Sequence, residues 1–159
     1  MNKQISKKPA QRTIALNKKA LHDYYVEQRF EAGLVLEGWE VKSIRAGRVQ
    51  LRDSYVVFKS GEAWLIGAHL SPLPNVAEYM KADPQRSRKL LLNKREIGKL
   101  FGAVQKQGLT VVPLDLHWHK NHVKVEIVLA KGKKTHDKRE TIKRREWERE
   151  KHRVLKSHG

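Results

Sequence analysis

Residues 112–129 read VPLDLHWHKNHVKVEIVL. Val112, Leu114, Leu116 and Trp118 fall on alternate positions, and so do Val123, Val125, Ile127 and Leu129, on either side of a turn near Lys120-Asn121. Alternate side chains of an extended chain share a face, so the stretch reads as two antiparallel strands of a hairpin. Pro113 has no N–H to give to a ladder, which places it at an edge or a bulge.

Working outward, Tyr55 and Val57, then Trp64, Ile66, Ala68 and Leu70, alternate around Ser60-Gly61 and predict a second hairpin. Between the hairpins the period changes. Asn93 is a good N-cap, Glu96 stands three residues on, and Ile97, Leu100, Phe101 and Val104 recur at helical spacing until Gly108. A shorter helix is expected from about Trp39 to Ala46, with Val41 and Ile44 on one side and Gly47 at its end. Another starts at Asn17 and runs into Tyr24-Tyr25. Strands with about three short helices and no βαβ alternation predict a mainly β fold with flanking helices, a closed antiparallel barrel of the OB type.

The flanks differ from this centre. Residues 1–12 carry Lys3, Lys7, Lys8 and Arg12 with Pro9 and read as a flexible basic arm, leaving residues 13–130 for the barrel. Residues 131–159 hold twelve lysines and arginines against five acids, with Ile142, Trp147, Val154 and Leu155 as the larger apolar side chains. Such a tail cannot bury enough to order itself, although Asp137 with Glu140 makes a helix start and Trp147 and Val154 lie seven apart. It is predicted to be disordered when free and helical when bound.

The chain has 159 residues, no cysteine and a formal net charge of +17. Disulfides, thiolate metal sites and cysteine nucleophiles are excluded, and the charge calls for a polyanionic partner, nucleic acid first. No basic-then-apolar leader and no apolar run of about 18 residues appears, so a soluble, cytoplasmic protein is expected. The cations cluster at Lys18-Lys19, Lys42 to Arg52 and Arg86 to Lys89. Tyr24 and Tyr25, beside the first cluster, suit either base stacking or core packing. His117, His119 and His122 offer a zinc-hydrolase alternative, weakened because Asn121 stands where an HxHxDH motif has aspartate. Ala130-Lys131-Gly132-Lys133-Lys134 lacks the first glycine of a phosphate loop, since Ile127 occupies its place, and no Gly-x-Ser-x-Gly elbow occurs. A ribosomal or single-strand RNA-binding protein built on the same barrel is the other alternative.

Five blocks, in order, carry a resemblance: Ile14-Ala15-Leu16-Asn17-Lys18; Phe30-Glu31-Ala32-Gly33; Gly38-Trp39-Glu40-Val41-Lys42-Ser43; Arg88-Lys89-Leu90-Leu91-Leu92-Asn93; and Ala130-Lys131-Gly132-Lys133-Lys134 followed by His136-Asp137-Lys138-Arg139. Together they resemble the small protein B family, the SsrA-binding proteins that accompany transfer-messenger RNA. The resemblance implies binding to the tRNA-like domain of that RNA and its delivery to stalled ribosomes in trans-translation. Elongation factor Tu is then an indirect companion through the charged RNA. It also implies a monomer without catalytic residues, cofactor or metal.

By the same resemblance the contact with the tRNA-like domain falls on Glu31, Leu91 and Asn93, to which the cationic Lys18, Lys89 and Arg45 are added. Contact with the ribosome, at its decoding centre and empty message channel, falls on His22, Lys131, Gly132, Lys133, Lys134, His136, Asp137, Lys138, Arg139, Trp147, Val154 and Leu155. Two residues have plainer uses: Asn93 is the predicted helix cap, and Leu91 suits a partly buried position.

Overall fold

The computed structural model describes residues 12–77 and 81–134. The expectations placed on His136, Asp137, Lys138, Arg139, Trp147, Val154 and Leu155, and on the arm before Arg12, lie outside the described residues. In chain order the elements are β1 (Arg12–Leu16), α1 (Lys18–Asp23), β2 (Tyr24–Leu34), α2 (Gly38–Arg45), β3 (Val49–Gln50), β4 (Tyr55–Lys59), β5 (Glu62–Ile66), β6 (His69–Leu70), α3 (Pro74–Ala77), β7 (Arg88–Leu91), α4 (Lys94–Gln107), β8 (Thr110–His119) and β9 (His122–Gly132). The fold is mainly β, with short helices at its margins.

β8 and β9 form the expected hairpin, closed at Lys120-Asn121 between the paired His119 and His122, with Lys120 at φ +57. β4 and β5 form the other around Ser60 and Gly61, both at positive φ, the turn that matches the natural twist of paired strands. Pro113 sits at a bulge, where the register shifts between Pro113 and Asp115. That shift corrects the simple alternation of the hairpin. Leu116 joins the main core with Val125, Ile127 and Leu129, whereas Val112 and Leu114 turn to the opposite face and pack with Val128, Ala130 and Ala20 of α1. One strand therefore feeds two apolar clusters, as a bulge permits.

The barrel is not closed. Among the described residues, seven strands run in the order β1-β8-β9-β2-β7-β5-β4, with β3 and β6 as a separate pair, and no ladder joins the β4 end to the β1 end. The reason lies along β8. Pro113 directs its carbonyl toward Asn17 and, having no N–H, offers no donor on that edge. Asn17 occupies the seam instead: its buried side-chain amide donates to Pro113 O at 2.9 Å and to Leu51 O at 3.3 Å, while its Oδ1 caps α1 at Ala20 N. A side chain thus stitches the two sides where backbone pairing would close a barrel.

α4 is capped as its sequence predicts, with Asn93 Oδ1 accepting from Glu96 N at 2.8 Å and Glu96 Oε1 accepting from Asn93 N at 3.1 Å; Gly108 ends it at φ +66. Leu100 is its buried anchor, and Phe101 stays half exposed, edge-on to Phe58. α1, capped by Asn17, runs up to the tyrosine pair and ends at Asp23, because Tyr24 is extended and begins β2. Full burial of each Leu, Ile or Val in the main cluster contributes roughly 1.5–3 kcal/mol. Among the described residues no helix is long and apolar enough to cross a membrane.

Candidate nucleic-acid interface

α1 covers one end of the outer face of β2, β9 and β8, through Ala20 on Val112, Leu114, Val128 and Ala130. The other end of that face is open. There the register sets Glu31 of β2 opposite Glu126 of β9, and Glu126 opposite Asp115 of β8, so three carboxylates stand in a row. Like charges at such spacing repel unless cations intervene. Arg29 Nη1 donates to Glu126 Oε1 at 2.7 Å. His117 sits between the other two, with Nδ1 2.8 Å from Asp115 Oδ1 and Nε2 2.8 Å from Glu31 Oε2. Its side chain is only 7% exposed, while that of Glu31 is 44% exposed. Burial, the largest single influence, works against the imidazolium, but the hydrogen bonds from Asp115 and then Glu31 outweigh it and raise the His117 pKa above its ordinary value.

Leu91 lies on the same face, because it pairs with Gly33, two residues beyond Glu31 on β2. It is 53% exposed in a strand whose Arg88 and Leu90 are fully buried. Gly33 makes the close approach possible: a Cβ there would come within 3.3 Å of Leu91 Cδ1. Leu91 therefore rests partly against Gly33 and leaves the rest of its side chain at the surface. Asn93 follows two residues later and is exposed, with its side-chain oxygen engaged in the α4 cap. Both uses proposed for Asn93 are sterically open to it.

Two cavities adjoin this end. One of about 460 Å³ is lined by Leu91, Gly33 and Lys124 together with Trp118 and Asn121. The other, of about 520 Å³, shares Trp118 and Asn121 and is lined by the cations Arg12, Arg45 and Lys120. Arg45 and Leu91 thus open onto neighbouring hollows. Lys89 is tied to Glu62 at 2.7 Å.

A second group gathers where β2 begins, roughly 20 Å from Glu31 along the strand. Lys18 and His22, four apart, share one flank of α1, and His22 Nδ1 lies 2.9 Å from Asp23 Oδ1. Lys131 and Gly132 belong to β9, paired with Tyr25 and Tyr24, so ordered structure continues past Ala130. Lys133 donates from its backbone N to Asp23 O at 2.8 Å and holds Nζ 5.0 Å from the centre of the Tyr25 ring, a cation–π arrangement. Lys134 is exposed beside it. Tyr24 packs against the α1 cluster while Tyr25 remains 43% exposed, so the pair divides between core and surface.

Two readings of charge and motif need correction. The Arg86-to-Lys89 cluster is not a free cationic patch: Arg88 is buried and donates from Nε to Glu40 Oε2 at 2.6 Å, and Arg86 Nη2 donates to Glu40 Oε1 at 2.6 Å. Nor do the three histidines converge on a metal. His117 has both ring nitrogens on carboxylates, His119 Nδ1 is buried without a hydrogen-bonding partner among the described residues, and His122 is exposed. Among the described residues no group of three or more His, Asp or Glu could hold a metal ion. His117 was hidden as a partner of Glu31 because the two are 86 positions apart; the local signal was Asp115, two residues away on the same strand face.

A small, strongly basic sheet protein with a polar sheet end left open and an exposed leucine beside it is the class these features define. The chain belongs to the SmpB protein family, whose profile matches residues 14–157. An SsrA-binding protein of Coxiella burnetii (strain RSA 493 / Nine Mile phase I) is 99% identical over 159 residues, all of both chains. An SsrA-binding protein of Thiobacillus denitrificans is 61% identical over 145 residues, 91% of this chain and 97% of the other. A solved structure described as "tmRNA-SmpB: a journey to the center of the bacterial ribosome" contains a chain 42% identical to this one, with a TM-score of 0.63 over 76% of this chain and 84% of that one.

Proposed function

We propose that the chain binds the tRNA-like domain of transfer-messenger RNA and accompanies it to stalled ribosomes for trans-translation. The carrying observation is Leu91, held outward beside Glu31 on the sheet end that α1 leaves open. An exposed leucine next to a fixed carboxylate suits the unstacked bases and ribose hydroxyls of a folded RNA loop: the methyl groups pack on a base or sugar, and the carboxylate accepts from an N–H or O–H. Asn93 contributes its side-chain amide, and Arg45 and Lys89 supply cations near the path of the phosphates. SsrA is the RNA named for the relatives, and a +17 protein has the electrostatics to hold it.

The second group supports a second contact. Lys18, expected at the tRNA-like domain, stands on α1 beside His22 rather than beside Glu31; His22 and Lys131 to Lys134 lie where the chain leaves β9, and the basic residues 135–159 follow from that point. These, with His136, Asp137, Lys138, Arg139, Trp147, Val154 and Leu155, would meet the decoding centre and empty message channel, as a tail disordered when free and helical when bound. The role is that of a cytoplasmic adaptor without chemistry of its own, with elongation factor Tu as companion only through the charged RNA.

Selectivity tests the reading. In a gel shift at one stated salt concentration, transfer-messenger RNA should outcompete ordinary tRNA and duplex RNA. Equal competition by all three would leave only a general polycation.

A further inference from the structure

Both ring nitrogens of His117 lie 2.8 Å from carboxylate oxygens, Asp115 Oδ1 on one side and Glu31 Oε2 on the other. A carboxylate offers only lone pairs, so both nitrogens must carry a proton for both contacts to be hydrogen bonds. Neutral imidazole has one donor and would set a lone pair against a lone pair at the other contact. The geometry therefore calls for imidazolium.

We propose that His117 is the positioning residue for RNA recognition at Glu31: as an imidazolium it fixes Glu31 Oε2, so that Oε1 is aimed at a donor on the RNA, and loss of its proton weakens RNA binding. The inference rests on the reading of Glu31 as an RNA contact.

The surroundings agree with this role. Glu31 is nearly half exposed and would otherwise sample several rotamers; one charge-assisted bond to a buried partner removes most of that freedom before the RNA arrives. Charge balance points the same way. Glu31, Asp115 and Glu126 would confront a polyanion as three negative charges, and Arg29, bonded to Glu126, offsets one of them. Protonated His117 offsets a second. Of the residues opposite His117 in the ladder, Lys124 on β9 disfavours the added charge and Thr13 on β1 is neutral. The two directly bonded carboxylates outweigh Lys124, in line with the raised pKa of the ring.

The test measures affinity for the tRNA-like domain of transfer-messenger RNA at fixed salt from about pH 6 to about pH 9, in the wild-type protein, His117→Gln and Glu31→Gln. Glutamine has one amide nitrogen where the imidazolium sets two on opposite sides, its other terminal atom being an acceptor, and it does not titrate. Wild-type affinity should fall about tenfold across the range, the weight of one charge-assisted hydrogen bond. His117→Gln should start weak and stay flat. Parallel pH profiles for these two proteins would overturn the proposal. Should Glu31→Gln bind like wild type at every pH, the assignment of Glu31 as an RNA contact fails first; should it bind weakly while His117→Gln behaves as wild type, only the positioning role fails. Should His117→Gln not fold, ring 15N shifts of His117 in the wild type and in Asp115→Asn give a second reading. Replacing Asp115 should move the inflection, in ring shift and in affinity alike, to lower pH, and an unmoved inflection would refute the clamp.

Discussion

Arg88 and Glu40 meet in the core, Arg88 Nε donating to Glu40 Oε2 at 2.6 Å with both residues 0% exposed. The guanidinium is completed by Ala68 O and Pro84 O, and the carboxylate also accepts from Arg86 and from Glu37 N. α2 is thereby bolted to β7, the strand that presents Leu91. Removing one partner of such a pair leaves the other charged and dry. Glu40→Gln should cost about 3–5 kcal/mol in urea unfolding, and a loss under about 1 kcal/mol would mean the pair behaves like a surface ion pair.

The same residue should shape the acid limit of stability. Burial, the largest influence, raises the Glu40 pKa, but the hydrogen bonds from Arg86, Glu37 N and Arg88 together hold it below the ordinary value. A depressed folded-state pKa contributes stability that is present above the unfolded-state value and is lost as pH falls through the folded one. His117 has the opposite sign: its raised pKa contributes stability that is full below the ordinary histidine value and is lost as pH rises through the folded value. Urea midpoints should therefore fall on both sides of a plateau. Glu40→Gln should flatten the acid limb and His117→Gln the alkaline one, and unchanged limbs in both variants would refute the assignment.

Asn17 should be worth more than a helix cap. Asn17→Ala removes the cap and leaves Pro113 O without its side-chain donor, while Leu51 O keeps Ser54 N and Ser54 Oγ, an expected cost of roughly 1–3 kcal/mol. Asn17→Asp separates the two roles, because aspartate caps as well as asparagine but cannot donate. If the seam matters, Asp is at least as damaging as Ala by thermal melting; if only the cap matters, Asp melts like wild type.

Asn93 offers a contrasting case. Its side chain caps α4 at an exposed position, so Asn93→Ala should cost about 1 kcal/mol and leave the protein folded. Loss of transfer-messenger RNA affinity in that folded variant would show a role beyond the cap, whereas wild-type affinity would leave the cap as its whole contribution.

Much of this architecture is legible from residue order, for physical reasons that also mark where legibility stops. The α4 cap and its Gly108 stop are local, as are the Ser60-Gly61 and Lys120-Asn121 turns, and all four are where their chemistry demands. Pro113 pointed to an edge or a bulge, but not to a bulge that transfers Val112 and Leu114 to another face, since that depends on what α1 brings to cover them. The open seam escaped for the same reason: Asn17 looks like a cap locally, and its second partnership lies 96 residues away. The blocks around Glu31 and Leu91 fall together at the open sheet end, while charge counting misplaced Arg86 and Arg88. Glu40, which holds both, is distant in sequence and reads as an ordinary helix acid.

The outward leucine beside Glu31 should contribute to RNA affinity far more than to the stability of the fold. Calorimetric titration of the tRNA-like domain into Leu91→Ala, with urea unfolding of the same preparation, tests it most directly. Affinity should fall roughly tenfold or more, as burial of a leucine against RNA is lost, with stability unchanged within about 0.5 kcal/mol. Wild-type affinity in the folded variant would remove Leu91 from the RNA contact.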